Sequence, residues 1–124
     1  MKISTRLLLG GLVGILLGGC SLLKNPSVTI DYAGEFCARI DNKYGEIWRS
    51  YFFTNCEGSR TWTESDLEPK LGELKNLEVW GMKILGSSYP DHGNLTVTID
   101  DGGKVVAEDT AEKETNDAYA KYSF

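Results

Sequence analysis

Few residues in this chain could carry out catalysis. His92 is the sole histidine, and a cysteine nucleophile activated by it would require Cys37 or Cys56 to lie beside it. His92 is expected to be solvent-exposed, because it belongs to a segment of turn-forming residues, YPDHGN. The chain has no CxxC motif for redox chemistry or zinc binding and no GxSxG motif of a serine hydrolase. The sequence therefore predicts neither an enzyme nor a bound cofactor.

Acidic residues are numerous but lack the spacing of a metal site. Asp91, Asp100, Asp101 and Asp109 do not form the DxDxDG pattern that places oxygen ligands around calcium. Asp100 and Asp101 are instead expected to form a turn. A second acidic group surrounds a short predicted helical turn and is expected to be a solvated face: Glu64, Asp66, Glu68, Glu73 and Glu78. No metal site is predicted.

The N-terminus has the pattern of an export signal. Lys2 and Arg6 precede an uncharged apolar run at residues 7–17. As a helix this run would reach about 16 Å, well short of a hydrocarbon core about 30 Å thick. The alternative is an uncleaved signal anchor that extends to residue 23 and would be about 26 Å long.

The apolar run ends in Leu17-Gly18-Gly19-Cys20, which resembles the lipobox of bacterial lipoproteins. Gly18 and Gly19 are small enough to lie in a protease cleft, and the Cys20 thiol is a nucleophile that can carry a thioether-linked diacylglycerol. The resemblance implies that signal peptidase II recognises Leu17, Gly18 and Gly19, removes residues 1–19 and leaves a lipidated Cys20. Each buried methylene adds about 0.8 kcal/mol of membrane affinity, so two or more acyl chains anchor a protein stably.

Residues 20–27 are predicted to form a lipidated tether, in which Pro26 disfavours a helix. Ser21 stands where an aspartate would be the familiar signal for retention in the inner membrane of Gram-negative bacteria. The protein is therefore expected in the cell envelope. In a Gram-negative source it would lie on the outer membrane facing the periplasm, and in a Gram-positive source on the outer leaflet of the single membrane.

The net charge excludes one class of partner. The chain carries −5 at pH 7, and the loss of Lys2 and Arg6 with the signal peptide takes the mature chain to −7. No basic stripe interleaved with aromatic residues is present, so no nucleic-acid binding is expected. The same negative charge disfavours adsorption to anionic headgroups, which leaves the N-terminal lipid as the expected membrane attachment.

Beyond Val28 the apolar residues recur mainly with a period of two, which is typical of β-strands. Gly34 is predicted to break a strand, and Gly81 to form a bulge. About seven strands would bear more apolar surface than one sheet can cover. Residues 28–124 are therefore predicted to form an all-β domain, a two-sheet sandwich of immunoglobulin-like or transthyretin-like type. The seven predicted strands are residues 27–32, 35–40, 46–54, 77–85, 95–99, 104–107 and 118–124, and residues 60–63 are an additional short candidate.

The most aromatic segment of the chain reads EIWRSYFFT. Tyr51 and Phe53 are predicted to face one side of a strand, and Trp48 and Phe52 the other. Such a strand is either central and covered on both faces, or it presents one face to a partner. Trp48, Phe52 and Trp62 are candidate partner-binding residues, because amphipathic rings are frequent at interfaces. The alternative is that these rings pack in the core.

Cys37 and Cys56 are the two cysteines that remain beside Cys20, and two thiols in an exported chain favour one disulfide. A bond closing about twenty residues would stabilise the fold by roughly 3 kcal/mol. Pairing Ile40 with Ile47 across the intervening turn, however, places Ser50 opposite Cys37 and well away from Cys56. The alternatives are a disulfide formed by a fold-back of the chain, or two free thiols.

Three segments carry a second resemblance. Val28-x-x-x-Tyr32, the run GNLTVTIDDGGKVVAED, and alanines that alternate with Tyr119 and Lys121 are similar to the small immunoglobulin-like sandwich of the mycobacterial membrane protein small family. Those relatives are held by a transmembrane helix rather than by a lipobox, and some assist large exporters. The resemblance implies an immunoglobulin-like sandwich.

The lipobox, the strand pattern and the lack of a catalytic constellation favour a lipid-anchored envelope protein that acts as a non-catalytic binding or scaffolding module for a protein partner. One alternative is a small inhibitor of an envelope enzyme or an accessory subunit of an export complex. A second is an envelope enzyme whose active loop lies around His92 or residues 64–78. A third is a purely structural anchor.

Overall fold

The computed structural model describes residues 25–67 and 73–124. The predicted signal peptide, the lipobox with Leu17, Gly18, Gly19 and Cys20, and all of the tether before Asn25 lie outside the described residues. The first strand begins at Pro26, two residues before the predicted start of the domain. In the described ranges, no helix is long and apolar enough to cross a membrane.

The described chain is an all-β sandwich, which confirms the predicted fold class. A single 3₁₀ turn, Glu64–Leu67, is the one helical element in the described part. Its Leu67 carbonyl accepts hydrogen bonds from Asn42 Nδ2 (3.1 Å) and Tyr44 Oη (2.6 Å). The strands are β1 (Pro26–Tyr44), β2 (Ile47–Thr63), β3 (Leu74–Lys83), β4 (Leu95–Asp101), β5 (Lys104–Ala111) and β6 (Asp117–Ser123).

The strands β1 and β2 each join two segments that were predicted as separate strands. The predicted break at Gly34 is instead a bend, where the pairing of β1 with β2 shifts between Tyr32 and Glu35 and again between Phe36 and Ala38. On β2 the bend uses left-handed backbone at Asn55 (φ 56°) and Gly58 (φ 76°). The two strands bend together and stay paired, so the described residues form six strands where about seven were predicted.

The bend in β1 turns one sheet into the two layers of the sandwich. The order is β5-β4-β1-β3-β6, and β2 pairs with β1 on its other edge. The first part of β1 (residues 26–31) pairs with β4, whereas the later part (residues 36–44) pairs with β3. The strands at the two ends of this order, β5 and β6, approach each other, and Tyr119 N on β6 donates a hydrogen bond to Asp109 Oδ2 on β5 at 2.8 Å.

The core lies between these two layers and is made by the inward residues of each strand. The predicted alternation of Val28 and Ile30, and of Phe36, Ala38 and Ile40, is confirmed, because all five side chains are buried. The neighbouring strands add inward side chains to both layers. Leu95, Val97 and Ile99 of β4 lie in the layer of Val28 and Ile30, and the other layer gains Leu77, Val79, Ala118 and Ala120 from β3 and β6.

The predicted bulge at Gly81 is wrong. Gly81 pairs in regular register with Ala38 on one side and Ala118 on the other. A Cβ at this position would lie 2.7 Å from Leu95 Cδ2 and 3.0 Å from Val97 Cγ2. Glycine is therefore required here for the close approach of the two layers, and not for an irregular strand.

The two tight hairpins differ in how well the sequence predicted them. The turn between β4 and β5 is confirmed, since Asp101 pairs with Lys104 and Asp100 Oδ1 accepts a hydrogen bond from Gly103 N at 2.7 Å. The turn predicted around residues 41–45 lies further along, because β1 continues to Tyr44, which pairs with Ile47. A two-residue loop with Gly45 at φ 60° joins them, as in a type II′ hairpin.

Candidate interaction face

The strand β2 lies at an edge of the sheet and not at its centre. Among the described strands it pairs with β1 alone. The predicted alternation is confirmed, because Tyr51 and Phe53 are opposite the inward residues Ile40 and Ala38. The side chains that alternate with them point away from the core. We call this side, formed by β2, the later part of β1, β3 and β6, the outer face.

The three candidate aromatic residues do not share one environment. Phe52 and Trp48 lie on the outer face and are 68% and 47% exposed. Trp62 packs in the core, with 4% of its surface exposed, which is the alternative that the sequence left open for these rings. It pairs with Val28 and packs against the Phe53 ring at a centroid distance of 4.9 Å. The bend in β2 is what brings Trp62 over the core.

A row of stacked side chains crosses the outer face perpendicular to the strands. Arg39 pairs with Phe52 on one side and with Trp80 on the other, and Trp80 pairs with Tyr119. The Arg39 guanidinium carbon lies 5.5 Å from the centroid of the Phe52 ring and 4.8 Å from that of Trp80. The Trp80 and Tyr119 rings stack at 4.7 Å with 29° between their planes. We call Phe52, Arg39, Trp80 and Tyr119 the aromatic row.

Two carboxylates hold the polar groups of the aromatic row. Arg39 donates from Nε to Asp41 Oδ1 (3.1 Å) and from Nη2 to Asp41 Oδ2 (3.0 Å), a bidentate pair that fixes the plane of the guanidinium. Burial raises the pKa of the Tyr119 hydroxyl, and the hydrogen-bonded carboxylate of Glu78 raises it further. Tyr119 therefore stays neutral, and the row presents flat rings around one fixed cation.

A second cation–ring contact lies closer to the hairpin turn. Lys43 pairs with Trp48, and its Nζ lies 5.9 Å from the centroid of the Trp48 ring. Trp48 and Phe52 are four residues apart on the same strand and share one face, with Ser50 between them on that face. Exposed rings thus continue from the aromatic row along the β2 edge.

The sequence pattern did not predict Arg39 or Tyr119 as members of this surface. The alternation of Phe36, Ala38 and Ile40 already directs Arg39 outwards, and that signal was available. The neighbours of Arg39 across the sheet depend on long-range pairing of β1 with β3 and of β3 with β6. No local pattern carries that information.

The predicted disulfide is not formed, because Cys37 and Cys56 are both free thiols. The register differs from the predicted one, because Ile40 pairs with Tyr51 and not with Ile47. As a result Phe36, and not Cys37, pairs with Cys56. Cys56 is consequently buried, while the neighbouring Cys37 points to the opposite face. Burial raises the pKa of Cys56, an effect that nearby Arg60 partly opposes, so its thiol remains protonated and unreactive.

His92 is exposed, as predicted, and lies at a shallow pocket of about 310 Å³ lined partly by Gly34, Glu35, Glu57 and Tyr89. Its backbone N–H donates to Tyr32 Oη at 2.9 Å. Neither cysteine contributes to the pocket lining, so the geometry does not assemble a cysteine–histidine nucleophile.

The aspartates considered for calcium each bind a backbone amide. Asp100 and Asp109 accept from Gly103 N and Tyr119 N, and Asp101 Oδ1 accepts from Asn25 N at 3.0 Å. In the acidic segment, Asp66 Oδ2 accepts from Thr63 N at 2.9 Å. Within residues 25–67 and 73–124, no group of three or more His, Cys, Asp and Glu side chains could hold a metal ion.

Asp91 has the most extensive contacts of these aspartates. It accepts from Gly93 N and Glu114 N, both at 2.9 Å, and from the Lys83 ammonium at 3.0 Å. The Lys83 side chain is completely buried and also donates to the Glu112 carbonyl at 3.0 Å. The two backbone amides, followed by Lys83, lower the pKa of Asp91 from 3.8 to about 2. This arrangement is a structural ion pair.

No model of a known protein family, no curated protein and no solved structure matches the chain. The resemblances to bacterial lipoproteins and to the mycobacterial membrane protein small family therefore stay predictions that rest on the quoted residues.

Proposed function

We propose that this protein is a lipid-anchored module of the bacterial cell envelope that binds a protein partner through its outer face and carries out no catalysis. The observation that carries the proposal is the aromatic row. Phe52, Arg39, Trp80 and Tyr119 form a stacked, solvent-facing surface whose cation is fixed by Asp41.

A protein is the partner that this surface suits best. Tryptophan, tyrosine and arginine are the residues most enriched among those that dominate binding energy at protein interfaces. The Arg39 side chain and the rings beside it are already held in place, so little conformational entropy is lost when a partner packs on them. The mature charge of −7 disfavours nucleic acid.

The position of the row is compatible with attachment through Cys20. Asn25, the first described residue, is held at the β4–β5 turn by Asp101 Oδ1 (3.0 Å) and by Gly102 N, which donates to its carbonyl (3.0 Å). Arg39 lies in the later part of β1, beyond the bend. A lipid on Cys20 would hold the protein in the cell envelope, on the outer membrane in a Gram-negative source. Attachment there would leave the outer face free for a partner.

The anchor is tested by replacing Cys20. We expect Cys20→Ser to prevent lipid attachment and cleavage, because an alcohol cannot supply the thioether, so the precursor accumulates at its uncleaved mass. Cys37→Ser is the matched control and should be processed normally. Mass spectrometry of the membrane fraction measures both. A Cys20→Ser chain that is cut at the same bond and stays with the membranes as before would disprove the lipid anchor.

The binding surface is tested by photo-crosslinking in intact cells. A photoreactive residue at Lys121, which is exposed beside Tyr119 on β6, should form a discrete adduct with a different envelope protein. We expect Trp80→Ala to reduce this adduct at least tenfold, since hot-spot side chains contribute about 2 kcal/mol or more.

The matched control is the same photoreactive residue at Val105, which is exposed on β5 outside the outer face. It should give no such adduct. The same adduct from both positions, or one insensitive to Trp80→Ala in a variant whose thermal unfolding is unchanged, would contradict binding through the outer face.

A further inference from the structure

We propose that two copies of this chain form a symmetric dimer in which the free edges of β2 pair antiparallel, with Ser50 of one copy opposite Ser50 of the other. The proposal does not depend on the lipid anchor or on an envelope partner. It rests on the edge position of β2, the backbone pattern of the β1–β2 hairpin and the side chains of residues 47–54.

Among the described residues, the early part of β2 forms an unprotected sheet edge. In the described chain, β2 hydrogen-bonds to β1 on one side only. Residues 47–54 (IWRSYFFT) contain no proline or glycine and one charge, Arg49. Proteins usually protect such an edge with charges, proline or bulges, because it pairs readily with another strand.

The later part of β2 carries the protection that the early part lacks. Its pairing with β1 shifts register, Gly58 adopts φ 76°, and Glu57 and Arg60 add charges. The contrast confines the available edge to the segment between the hairpin turn at Gly45 and the left-handed Asn55. Ser50 is the midpoint of that segment.

The hairpin determines which backbone groups face the free edge. In a two-residue hairpin the closing pair, here Tyr44 and Ile47, exchanges both of its hydrogen bonds. Successive residues of a strand direct their backbone groups to opposite sides. The N–H and C=O groups of Trp48, Ser50 and Phe52 therefore point away from β1, where a second strand can bond to them.

The side chains on this edge are complementary to themselves. With Ser50 opposite Ser50, the Trp48 ring of each copy is opposite the Phe52 ring of the other, so two aromatic cross-strand pairs form. These are among the most exposed large apolar side chains of the described residues, and the pairing would cover both in each copy. On the opposite side of the strand, Arg49 is opposite Tyr51.

Neighbouring registers with the same backbone pattern are less favourable. A register shift of two residues in one direction places Arg49 directly opposite Arg49, and like charges in that position destabilise a sheet. A shift in the other direction places Trp48 opposite Thr54 and brings Asn55 of the bend into the paired segment. The Ser50-centred register alone combines both aromatic pairs with no like-charge contact.

The twofold symmetry is also compatible with a membrane. The axis runs perpendicular to the joined sheets, so the two copies of Asn25 lie at equal heights along it. A membrane whose plane is perpendicular to this axis can therefore hold the lipid anchors of both copies. The pairing would place the aromatic row of one copy next to Trp48 of the other, which extends the outer face across the dimer.

A charge-pairing experiment tests the proposal with the full chain in excess detergent. Wild type should sediment as a dimer, whereas Ser50→Lys and Ser50→Glu should each be monomers, because like charges would be opposed at the centre. A one-to-one mixture of these two variants should restore the dimer, and that recovery shows that both remain folded. Ser59→Lys and Ser59→Glu are matched controls on the protected part of β2 and should dimerise like the wild type.

Each other outcome overturns the proposal. A wild-type chain that remains monomeric up to high micromolar concentration excludes the dimer. A dimer that persists in Ser50→Lys, or that the Ser59 variants disrupt equally, places the interface elsewhere. Two monomeric Ser50 variants with unchanged thermal unfolding that do not combine when mixed exclude the Ser50-centred register.

Discussion

Gly81 shows how a single residue controls the separation of the two layers. It lies between Ala38 and Ala118 in the layer that contains the later part of β1, β3 and β6, so three small residues adjoin across these strands. Leu95 and Val97 of the facing layer pack into the space that they leave. Closely packed interiors leave no room for even one added methyl group at such a contact.

Gly81→Ala is therefore expected to destabilise the fold. The added Cβ would meet Leu95 Cδ2 at 2.7 Å, and overpacking of this kind costs about 1–3 kcal/mol of the free energy of unfolding. Gly86→Ala is the control, since a Cβ there meets nothing within 4 Å. Thermal and urea unfolding followed by circular dichroism measure the effect. Equal stability of the two variants would contradict the close approach.

At the scale of elements, the long β1–β2 hairpin is the main organiser. Both strands continue through the bend, so one hairpin contributes to both layers. The bend depends on an extra residue in β2, where Cys56 pairs with Phe36 but Phe53 pairs with Ala38. Asn55, at φ 56°, provides the left-handed backbone that this bulge requires.

Asn55 offers a test of the bend. Asn55→Val should lower the free energy of unfolding by about 1–2 kcal/mol, because a β-branched residue is strained in left-handed backbone. Asn55→Gly, at the same position, should be as stable as the wild type or slightly more stable, since glycine adopts this conformation freely. Urea unfolding compares the three chains. If valine and glycine were tolerated equally, the bulge would not depend on left-handed backbone at this residue.

At the scale of the whole molecule, the Lys83–Asp91 pair joins segments that are far apart in sequence. Lys83 ends β3, Asp91 lies in the loop before β4, and Glu112 and Glu114 follow β5. The Lys83 ammonium also lies 5.6 Å from the centroid of the Tyr32 ring, near the bend in β1. A buried ammonium must be paired, so removing its carboxylate is more harmful than losing a surface ion pair.

This pair predicts how stability depends on pH. The pKa of Asp91 is lowered from 3.8 to about 2 in the folded chain, so its carboxylate stabilises the fold fully above pH 3.8. That contribution is lost as the pH falls through about 2. Asp91→Asn should lower the melting temperature at neutral pH. The melting temperature of this variant should also change less than that of the wild type as the pH falls from 3.8 to about 2.

Asp31→Asn is the control for the Asp91 variant, because it removes the same charge from an exposed position on β1. It should leave the neutral melting temperature almost unchanged. Thermal unfolding between pH 2 and pH 7 compares the variants. An Asp91→Asn chain with the acid profile of the wild type would show that the ion pair contributes no stability.

The sequence by itself determined the class of fold and the faces of the strands. Alternation with a period of two arises within one strand, so it correctly assigned Val28 and Ile30 to the core and separated Tyr51 from Phe52. The turn before Lys104 was likewise predictable from local Asp and Gly residues. The lipobox at Leu17 to Cys20 is also a local pattern, and it remains a prediction.

Only the tertiary structure decided which strands adjoin and which faces are covered. It buried Trp62, left Phe52 exposed, left Cys37 and Cys56 as free thiols, and stacked Arg39 between Phe52 and Trp80. Each outcome depends on the register and bend of β1 and β2, where a shift of one residue turns every side chain to the other face. Pairing between distant segments sets that register, and the alternation of residues within one segment does not predict it.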